Sequence, residues 1–190
     1  MPPQIQAAVT HMTSSPLRGM RAHLDAAVRR IAVGASDEVI QRKIEGFYWP
    51  LFRWIEEVID RKKSSSVRSS SRPCVCVGLS CVQGGGKTTT TRLLREMLQL
   101  AGRRCAVVSL DDVYLTRQEQ VALAEANPTI PLLQHRGNPG TQDLPLLMRF
   151  IEQCNSTQSD IGVPQFDKSL HAGRGDRVPE PSWEKVQGAS

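Results

Sequence analysis

The sequence has 190 residues, of which 39% are hydrophobic, and 24 Lys and Arg against 19 Asp and Glu give it a net charge of +5. This length suits one globular domain with its own core, and the composition is that of a soluble protein. No apolar run approaches the ~20 residues of a membrane span, which excludes the membrane-spanning class, and we expect no membrane partner.

The N-terminal stretch lacks the basic start and long apolar run of a secretory signal. It is poor in acidic residues before Asp25 and carries Arg18, Arg21, Arg29 and Arg30. These residues fit a transit peptide, but an ordinary amphipathic helix explains them equally and is preferred. The five cysteines contain no C-x-x-C pair and are expected to be reduced. We expect a cytoplasmic protein, with a plastid or mitochondrion as the alternative.

Residues 1–60 predict a helical N-terminal segment, after an unstructured start over residues 1–14. Apolar residues recur at helical spacing up to a stop at Gly34, and Ser36 with Asp37 and Glu38 is predicted to open a second helix. Gly46 and Pro50 are expected to interrupt that helix before a further apolar face. The segment's predicted core anchors are Trp49, Phe52 and Trp54.

Residues 61–73, RKKSSSVRSSSRP, hold five of the 24 basic residues and no acidic one. This composition predicts a flexible basic linker. A patch for nucleic acid or an acidic membrane is the alternative. Because the stretch has no interleaved aromatic residue, we expect no nucleic-acid partner.

A phosphate-binding loop is predicted at the centre of the chain. The apolar run Cys74–Leu79 predicts a strand buried on both faces, and a helical pattern follows the glycines at 84–86. Glycines let consecutive backbone amides point into one concavity, and the helix start adds its free amides. Lys87 is placed to reach terminal phosphates and Thr88 to bind Mg²⁺. The general pattern has glycine where Cys81 stands, and the alternative is a glycine-rich turn that binds nothing.

A second strand is predicted at Cys105–Leu110, after a helix that ends at Gly102. Strand, helix and strand over this length predict a right-handed βαβ unit. The predicted fold class is therefore α/β, a P-loop NTPase-type parallel sheet flanked by helices, with the all-helical segment before it. Asp111 and Asp112 follow the second strand, at the edge where such sheets bind ligands. One carboxylate would accept a hydroxyl proton and the other would hold Mg²⁺, or both simply cap a turn.

The C-terminal third offers further polar residues whose roles stay open. Thr116 and Glu119 form a capping box before an apolar run. Asp143 either caps the next helix or grips substrate hydroxyls. Arg174 and Arg177, in a glycine-rich stretch, either clamp a phosphate or carboxylate or lie in a solvated loop. The tripeptide Arg174-Gly175-Asp176 matches a cell-adhesion motif, which we interpret as coincidence.

Several stretches together resemble one family, glycerate kinase of the plant and fungal type. They are GLSCVQGGGKTTTT, SLDDVYLT, AEANP, HRGNPGTQDLPLL and PQFDKSLHAGRGDRVPEPSWEKV. The wider group includes uridine kinase, pantothenate kinase and phosphoribulokinase. The resemblance covers the chain from about residue 47. It implies that residues 74–190 form a P-loop kinase domain.

The resemblance implies transfer of the γ-phosphate of ATP to a hydroxyl of a small hydroxy acid, D-glycerate in the plant enzymes, with Mg²⁺ bound. An inactive nucleotide-binding module and a kinase for a nucleoside or pantothenate-like acceptor are the alternatives, and the oligomeric state stays open. The implied catalytic residues are Asp111, Lys87 and Arg174. The implied nucleotide-binding residues are Gln83, Gly84, Gly85, Gly86, Lys87, Thr88 and Thr89. The implied substrate-binding residues are Asp112, Tyr114, Arg136, Asp143, Lys168 and Arg177, and the metal ligands are Thr88 and Asp112.

The sequence departs from the family pattern at several positions. Cys81 stands where Gly or Ala is usual, Gln142 where His is usual, and Phe166 where Tyr is usual. The family continues past the position of Ser190 with an apolar strand that lies centrally in its sheet, so the domain is expected to be incomplete at its C-terminus. Loss of several buried branched residues, at roughly 1.5–3 kcal/mol each, predicts marginal stability.

Overall fold

The computed structural model describes residues 15–65, 74–156 and 160–187. The chain divides into two compact units, residues 1–105 and residues 106–190. The predicted unstructured start and most of the predicted linker lie outside the described residues. Among those that are described, no helix has the length and apolar character needed to cross a bilayer.

The first unit is helical. The second helix opens at Ser36, as predicted; Ser36 is its N-cap, and its side chain accepts a hydrogen bond from the Val39 amide. Gly34 and Gly102, with φ of 82° and 71°, follow helix ends as predicted. The last element of the N-terminal segment continues through the first five residues of the predicted linker. The helices are α1 (Ser15–Ile31), α2 (Asp37–Lys43), a π-helical turn (Ile44–Tyr48), α3 (Trp49–Ser65) and α4 (Lys87–Leu100).

The π-helical turn corrects the predicted interruption at Gly46 and Pro50. Gly46 lies inside this turn, and the Trp49 amide donates to the Ile44 carbonyl across it. Pro50 is the second residue of α3, in the first turn, where a missing amide hydrogen is tolerated. The helical path therefore passes from α2 to α3 without a loop.

The core of the first unit joins α4 to the N-terminal helices. Leu93 and Met97 of α4 are 2% and 1% exposed and pack in one cluster with Trp49 and Phe52. These two aromatic residues are core anchors, as predicted. Trp54 is not, because it faces outward from α3 and is 48% exposed.

The predicted parallel sheet is wrong for the described residues. Cys74–Leu79 and Cys105–Leu110 form no strand, and the first of these runs is mostly exposed. The strands that do form are two antiparallel pairs in the second unit. An apolar run forms a strand only if another segment pairs with it, and the described residues supply no such partner for either run. The architecture is α/β, with helices and small antiparallel pairs.

The second unit combines short helices with these strand pairs. Strand β1 (Asp160–Gly162) pairs with β4 (Lys185–Gln187), with Ile161 opposite Val186. Strand β2 (Phe166–Asp167) pairs with β3 (Asp176–Arg177), with Phe166 opposite Arg177. The helices are a 3-10 turn (Leu110–Val113), α5 (Arg117–Ala126), a 3-10 turn (Pro131–Leu133), α6 (Leu144–Asn155) and a 3-10 turn (Glu180–Ser182).

Two small apolar clusters hold the second unit together. Val113, Leu146 and Trp183 form one, which ties the first 3-10 turn to α6. Phe150 and Ile161 belong to the other, which ties α6 to β1. These clusters fix the ends of the elements that carry the polar residues described next.

Candidate active site

The first unit carries the predicted phosphate loop at the N-terminus of α4. Gly84 and Gly86 have φ of 76° and 78°, a left-handed conformation that favours glycine, and an added Cβ on either would meet open space. Gly86 is the N-cap of α4, and no acidic residue stands in the first turn. The free amides and the positive end of the helix dipole therefore remain available to an anion.

Lys87 closes the loop from its helical side. Its Nζ donates to the carbonyl oxygens of Cys81 and Val82, at 2.7 and 3.0 Å. The Gly85 amide donates to the same Val82 carbonyl, at 3.1 Å. These bonds shape the loop into a compact turn, and Gln83 and the three glycines are solvent-exposed.

Cys81 occupies the first-glycine position without a left-handed backbone. Among the described residues, the non-glycine residues with positive φ are His171 and Ala172. The Cys81 Sγ lies against Gly85, where an added Cβ would approach it to 2.9 Å. The departure from the general pattern is thus accommodated by the glycine at position 85.

The loop residues fit a magnesium–phosphate ligand, but they are too few to hold a metal alone. Thr88 is exposed in the first turn of α4, beside Lys87, and Thr89 is half-buried behind it. The described residues include no group of three or more His, Cys, Asp or Glu able to hold a metal ion. Mg²⁺ commonly takes one or two protein ligands and completes its shell with phosphate oxygens and water.

The second unit brings three of the predicted residues together around Asp111. The Lys168 Nζ donates to Asp111 Oδ2 at 2.6 Å, and Tyr114 donates a side-chain hydrogen bond to the same carboxylate. Burial alone would raise the pKa of Asp111, but these two bonds and the charges of Lys168 and Arg136 outweigh it and lower the pKa. Burial and the Asp111 carboxylate raise the pKa of Tyr114 to about 12. Asp111 is therefore an ionised acceptor near neutral pH.

Asp112 makes the capping contact that the sequence left as an alternative. Its Oδ2 accepts the Ser109 amide at 2.8 Å, and the Ser109 hydroxyl accepts the Asp111 amide at 3.2 Å. This capping box defines the 3-10 turn that presents Asp111. One oxygen of Asp112 is thus used by the backbone.

Asp143 and Arg177 form a nearly buried ion pair. The guanidinium donates to Asp143 Oδ2 and to the Tyr114 carbonyl, both at 2.9 Å, and both side chains of the pair are 15% exposed. Asp143 Oδ1 also accepts the Leu146 amide at 2.9 Å as the N-cap of α6. The capping role is confirmed, and the pair joins β3 to α6.

Arg136 and Arg174 belong to the same surface of the second unit. The Arg136 guanidinium lies 5.5 Å from the Phe166 ring centre and donates to the Gly173 carbonyl at 2.9 Å and to the Arg174 carbonyl. The ring centres of Tyr114 and Phe166 lie 5.4 Å apart, with the two rings edge to face. The Arg174 side chain is exposed and has no hydrogen-bonding or ionic partner among the residues that the structure describes. Its positive charge is therefore available to a bound anion.

Sequence reasoning missed Asp176 and His171. Asp176 accepts the amides of Arg117 and Arg177, both at 2.8 Å, and its other oxygen lies 3.1 Å from His171 Nε2. The contact with Arg117 spans 59 positions of the chain. The only local signal was the adhesion-like tripeptide, which gave no indication of this network.

Comparison with known proteins gives named relatives but no matching family model. The chain is 34% identical over 145 residues to the chloroplastic D-glycerate 3-kinase of Arabidopsis thaliana, covering 75% of this chain and 32% of that protein. It is 39% identical over 120 residues to the uncharacterized kinase mug58 of Schizosaccharomyces pombe, covering 63% and 43%. A solved D-glycerate 3-kinase from Cryptococcus neoformans matches with a TM-score of 0.66 at 35% identity, covering 75% and 49%. The chain spans half or less of the length of these relatives.

Proposed function

We propose that this chain, a homologue of kinases that include proteins named D-glycerate 3-kinase, transfers the γ-phosphate of ATP to a hydroxyl of a small hydroxy acid, most specifically D-glycerate. The observation that carries the proposal is the glycine turn that opens into α4 with Lys87 folded back over it. This arrangement suits phosphate, and the names of the relatives support kinase chemistry. The cytoplasmic or organellar location stays a prediction.

Nucleotide phosphates would bind to the loop of the first unit. Backbone amides from Gln83 to Thr89 would donate to phosphate oxygens, and Lys87 would exchange a carbonyl partner for a phosphate. Thr88 would be one ligand of a magnesium ion held by the phosphates. The metal would neutralise charge on the transferred group.

The acceptor would bind to the second unit, with Asp111 as its general base. The acceptor oxygen attacks the γ-phosphorus, the bond from that phosphorus to the β,γ-bridging oxygen breaks, and ADP leaves. The hydroxyl proton passes to the Asp111 carboxylate. The lowered pKa of Asp111 keeps this group ionised and ready to accept it.

Cations of the second unit support a carboxylate-bearing acceptor. Arg174 would contact the transferred phosphate, because its side chain is exposed and lacks a protein partner among the described residues. Lys168 and Arg136 lie close enough to influence Asp111, and either would attract the carboxylate of a hydroxy acid. Asp143, Arg177 and Tyr114 would shape this site, and their substrate contacts stay a prediction.

Titration calorimetry with MgATP tests the phosphate loop. The 190-residue chain should bind MgATP, and Lys87→Ala should weaken binding at least about tenfold, the effect of losing a charged contact worth about 1.5–3 kcal/mol. Lys43→Ala, which removes another exposed lysine of the first unit, is the matched control. Equal affinities for both variants and the wild type would refute the phosphate-loop assignment.

Turnover assays separate the acceptor assignment from nucleotide binding. ADP release should depend on D-glycerate, and should be lost in Asp111→Asn while MgATP affinity is retained. Pantothenate and uridine are the comparison acceptors. MgATP binding without turnover on any of the three would favour an inactive nucleotide-binding module.

A further inference from the structure

Asp176, in β3, binds one helix and one turn of the second unit through its carboxylate. Its Oδ1 accepts the Arg117 amide at the start of α5 and the Arg177 amide in β3, and its Oδ2 contacts His171 in the turn between β2 and β3. We propose that Asp176 is a positioning residue of the acceptor site, which holds Lys168 and Tyr114 in place around Asp111. The proposal rests on the function proposed above for that site.

The backbone contacts of Asp176 fix α5 and β3 together. The Arg117 amide belongs to the first helical turn, where no intrahelical carbonyl is available, so the carboxylate supplies its acceptor. Both amide bonds measure 2.8 Å. The Asp176 side chain is 27% exposed, and both of its oxygens are engaged, which leaves little of the carboxylate for an external partner such as an adhesion receptor.

One path leads from Asp176 to Asp111 through β3. The Asp176 carboxylate binds the Arg177 amide, and the Arg177 side chain donates to the Tyr114 carbonyl at 2.9 Å. Tyr114 in turn donates its hydroxyl hydrogen to Asp111. A shift of β3 would therefore move the tyrosine that orients the base.

A second path leads through the turn of residues 168–174. His171 and Ala172 have φ of 52° and 55°, which non-glycine side chains disfavour, so surrounding contacts must maintain the turn. The His171–Asp176 contact is one, and Arg136 bound to the Gly173 carbonyl is another. The turn begins at Lys168, whose Nζ binds Asp111. The carboxylate thus stabilises the conformation in which Lys168 reaches the base.

The test combines two conservative variants with a matched control in the 190-residue chain. Asp176→Asn keeps an oxygen for the amides but loses the charge that faces His171. His171→Asn removes the ring contact, and asparagine tolerates the left-handed backbone. Asp160→Asn changes an exposed aspartate of β1 in the same unit. NMR chemical shifts of the Lys168 side chain and the Tyr114 ring report their contacts with Asp111, and calorimetry measures D-glycerate binding.

Asp176→Asn should shift the Lys168 side-chain and Tyr114 ring resonances and weaken D-glycerate binding at least tenfold, with backbone amide spectra otherwise close to wild type. His171→Asn should act in the same direction, and Asp160→Asn should leave both readouts unchanged. If Asp176→Asn does not fold, His171→Asn decides the question alone. Lys168 and Tyr114 resonances that match wild type in the folded variants overturn the positioning role. Shifted resonances in a chain that binds no D-glycerate support the positioning role and refute the acceptor assignment.

Discussion

Asp143 makes two separable interactions in the second unit, and replacing it should break them to different extents. Oδ1 accepts the Leu146 amide as the N-cap of α6, and Oδ2 accepts the Arg177 guanidinium, both at 2.9 Å. Asp143→Ala removes both interactions. Asp143→Asn keeps an oxygen for the amide and removes the negative charge, so the two variants distinguish the cap from the ion pair.

The expected losses follow from the burial of the pair. Loss of the cap costs about 1 kcal/mol. Breaking a fully buried ion pair costs about 3–5 kcal/mol. The pair is 15% exposed, and Glu119 lies 3.9 Å from the Arg177 guanidinium, so part of the charge stays compensated. We therefore expect a loss of about 2–4 kcal/mol for Asp143→Ala and about 1–3 kcal/mol for Asp143→Asn.

Hydrogen exchange measures these losses residue by residue. The Leu146 amide lies in the first turn of α6, where no intrahelical acceptor exists, so its protection reports the cap. In Asp143→Ala it should exchange about fivefold faster than in Asp143→Asn, since the cap is worth about 1 kcal/mol. Exchange at Phe150 should rise roughly 30- to 700-fold in Asp143→Ala, because each 1.4 kcal/mol corresponds to a factor of ten.

Asp160→Ala is the control, because Asp160 is exposed and its replacement should leave α6 protection unchanged. If Asp143→Ala matches this control at Phe150, the ion pair contributes nothing to stability. If Asn and Ala give equal exchange at Leu146, the capping argument fails.

Two further predictions concern acid stability and the first core. The pKa of Asp111 is lowered in the folded chain, so its contribution to stability is present above about pH 4 and is lost as the pH falls through the folded pKa. Asp111→Asn should therefore reduce the acid slope of stability below about pH 4, and an unchanged slope would contradict this. Phe52 is 1% exposed, whereas Phe47 is 48% exposed. Urea unfolding should show that Phe52→Ala lowers the free energy of unfolding by about 3–5 kcal/mol and that Phe47→Ala changes it by no more than about 0.5 kcal/mol. Equal losses would refute the core assignment.

Helix boundaries followed from the sequence because their signals are local. The Ser36 cap and the Thr116–Glu119 capping box depend on residues within three positions of each other, and the structure confirms both. Asn127 is the C-cap of α5. Each of these features is decided by short-range hydrogen bonds that the residue types alone make favourable.

Strand pairing could not be predicted from the sequence, because it depends on segments that are distant along the chain. Val77 and Leu79 belong to the run predicted as a buried strand, yet they are 46% and 38% exposed. Apolar character and β-branching favour extended backbone, but only a neighbouring segment can complete the hydrogen-bond ladder. The antiparallel pairing of β1 with β4 joins segments separated by more than 20 residues. The sequence of neither segment indicates which segment it pairs with.

The polar network around Asp111 shows the same limit. The type and position of Asp111 and Asp112 were enough to predict that one of them is a candidate base, and the family resemblance singled out Asp111. The contribution of Asp176 arises from a contact with Arg117, 59 positions away. The prediction that Trp54 is a core anchor was wrong for a related reason. Whether a side chain of α3 faces the core depends on how the helices pack.

The packing of α4 gives the N-terminal helices a direct part in holding the loop that is proposed to bind phosphate. Leu93 and Met97 anchor α4 in the same cluster as Phe52, while residues 74–80 before the loop are mostly exposed. The position of the loop is thus fixed from its helical side, where Lys87 and the free amides belong to the first turn of an anchored helix. Residues 15–65 therefore support the helix that carries the phosphate loop. Substitutions in their core should displace α4 and so weaken MgATP binding.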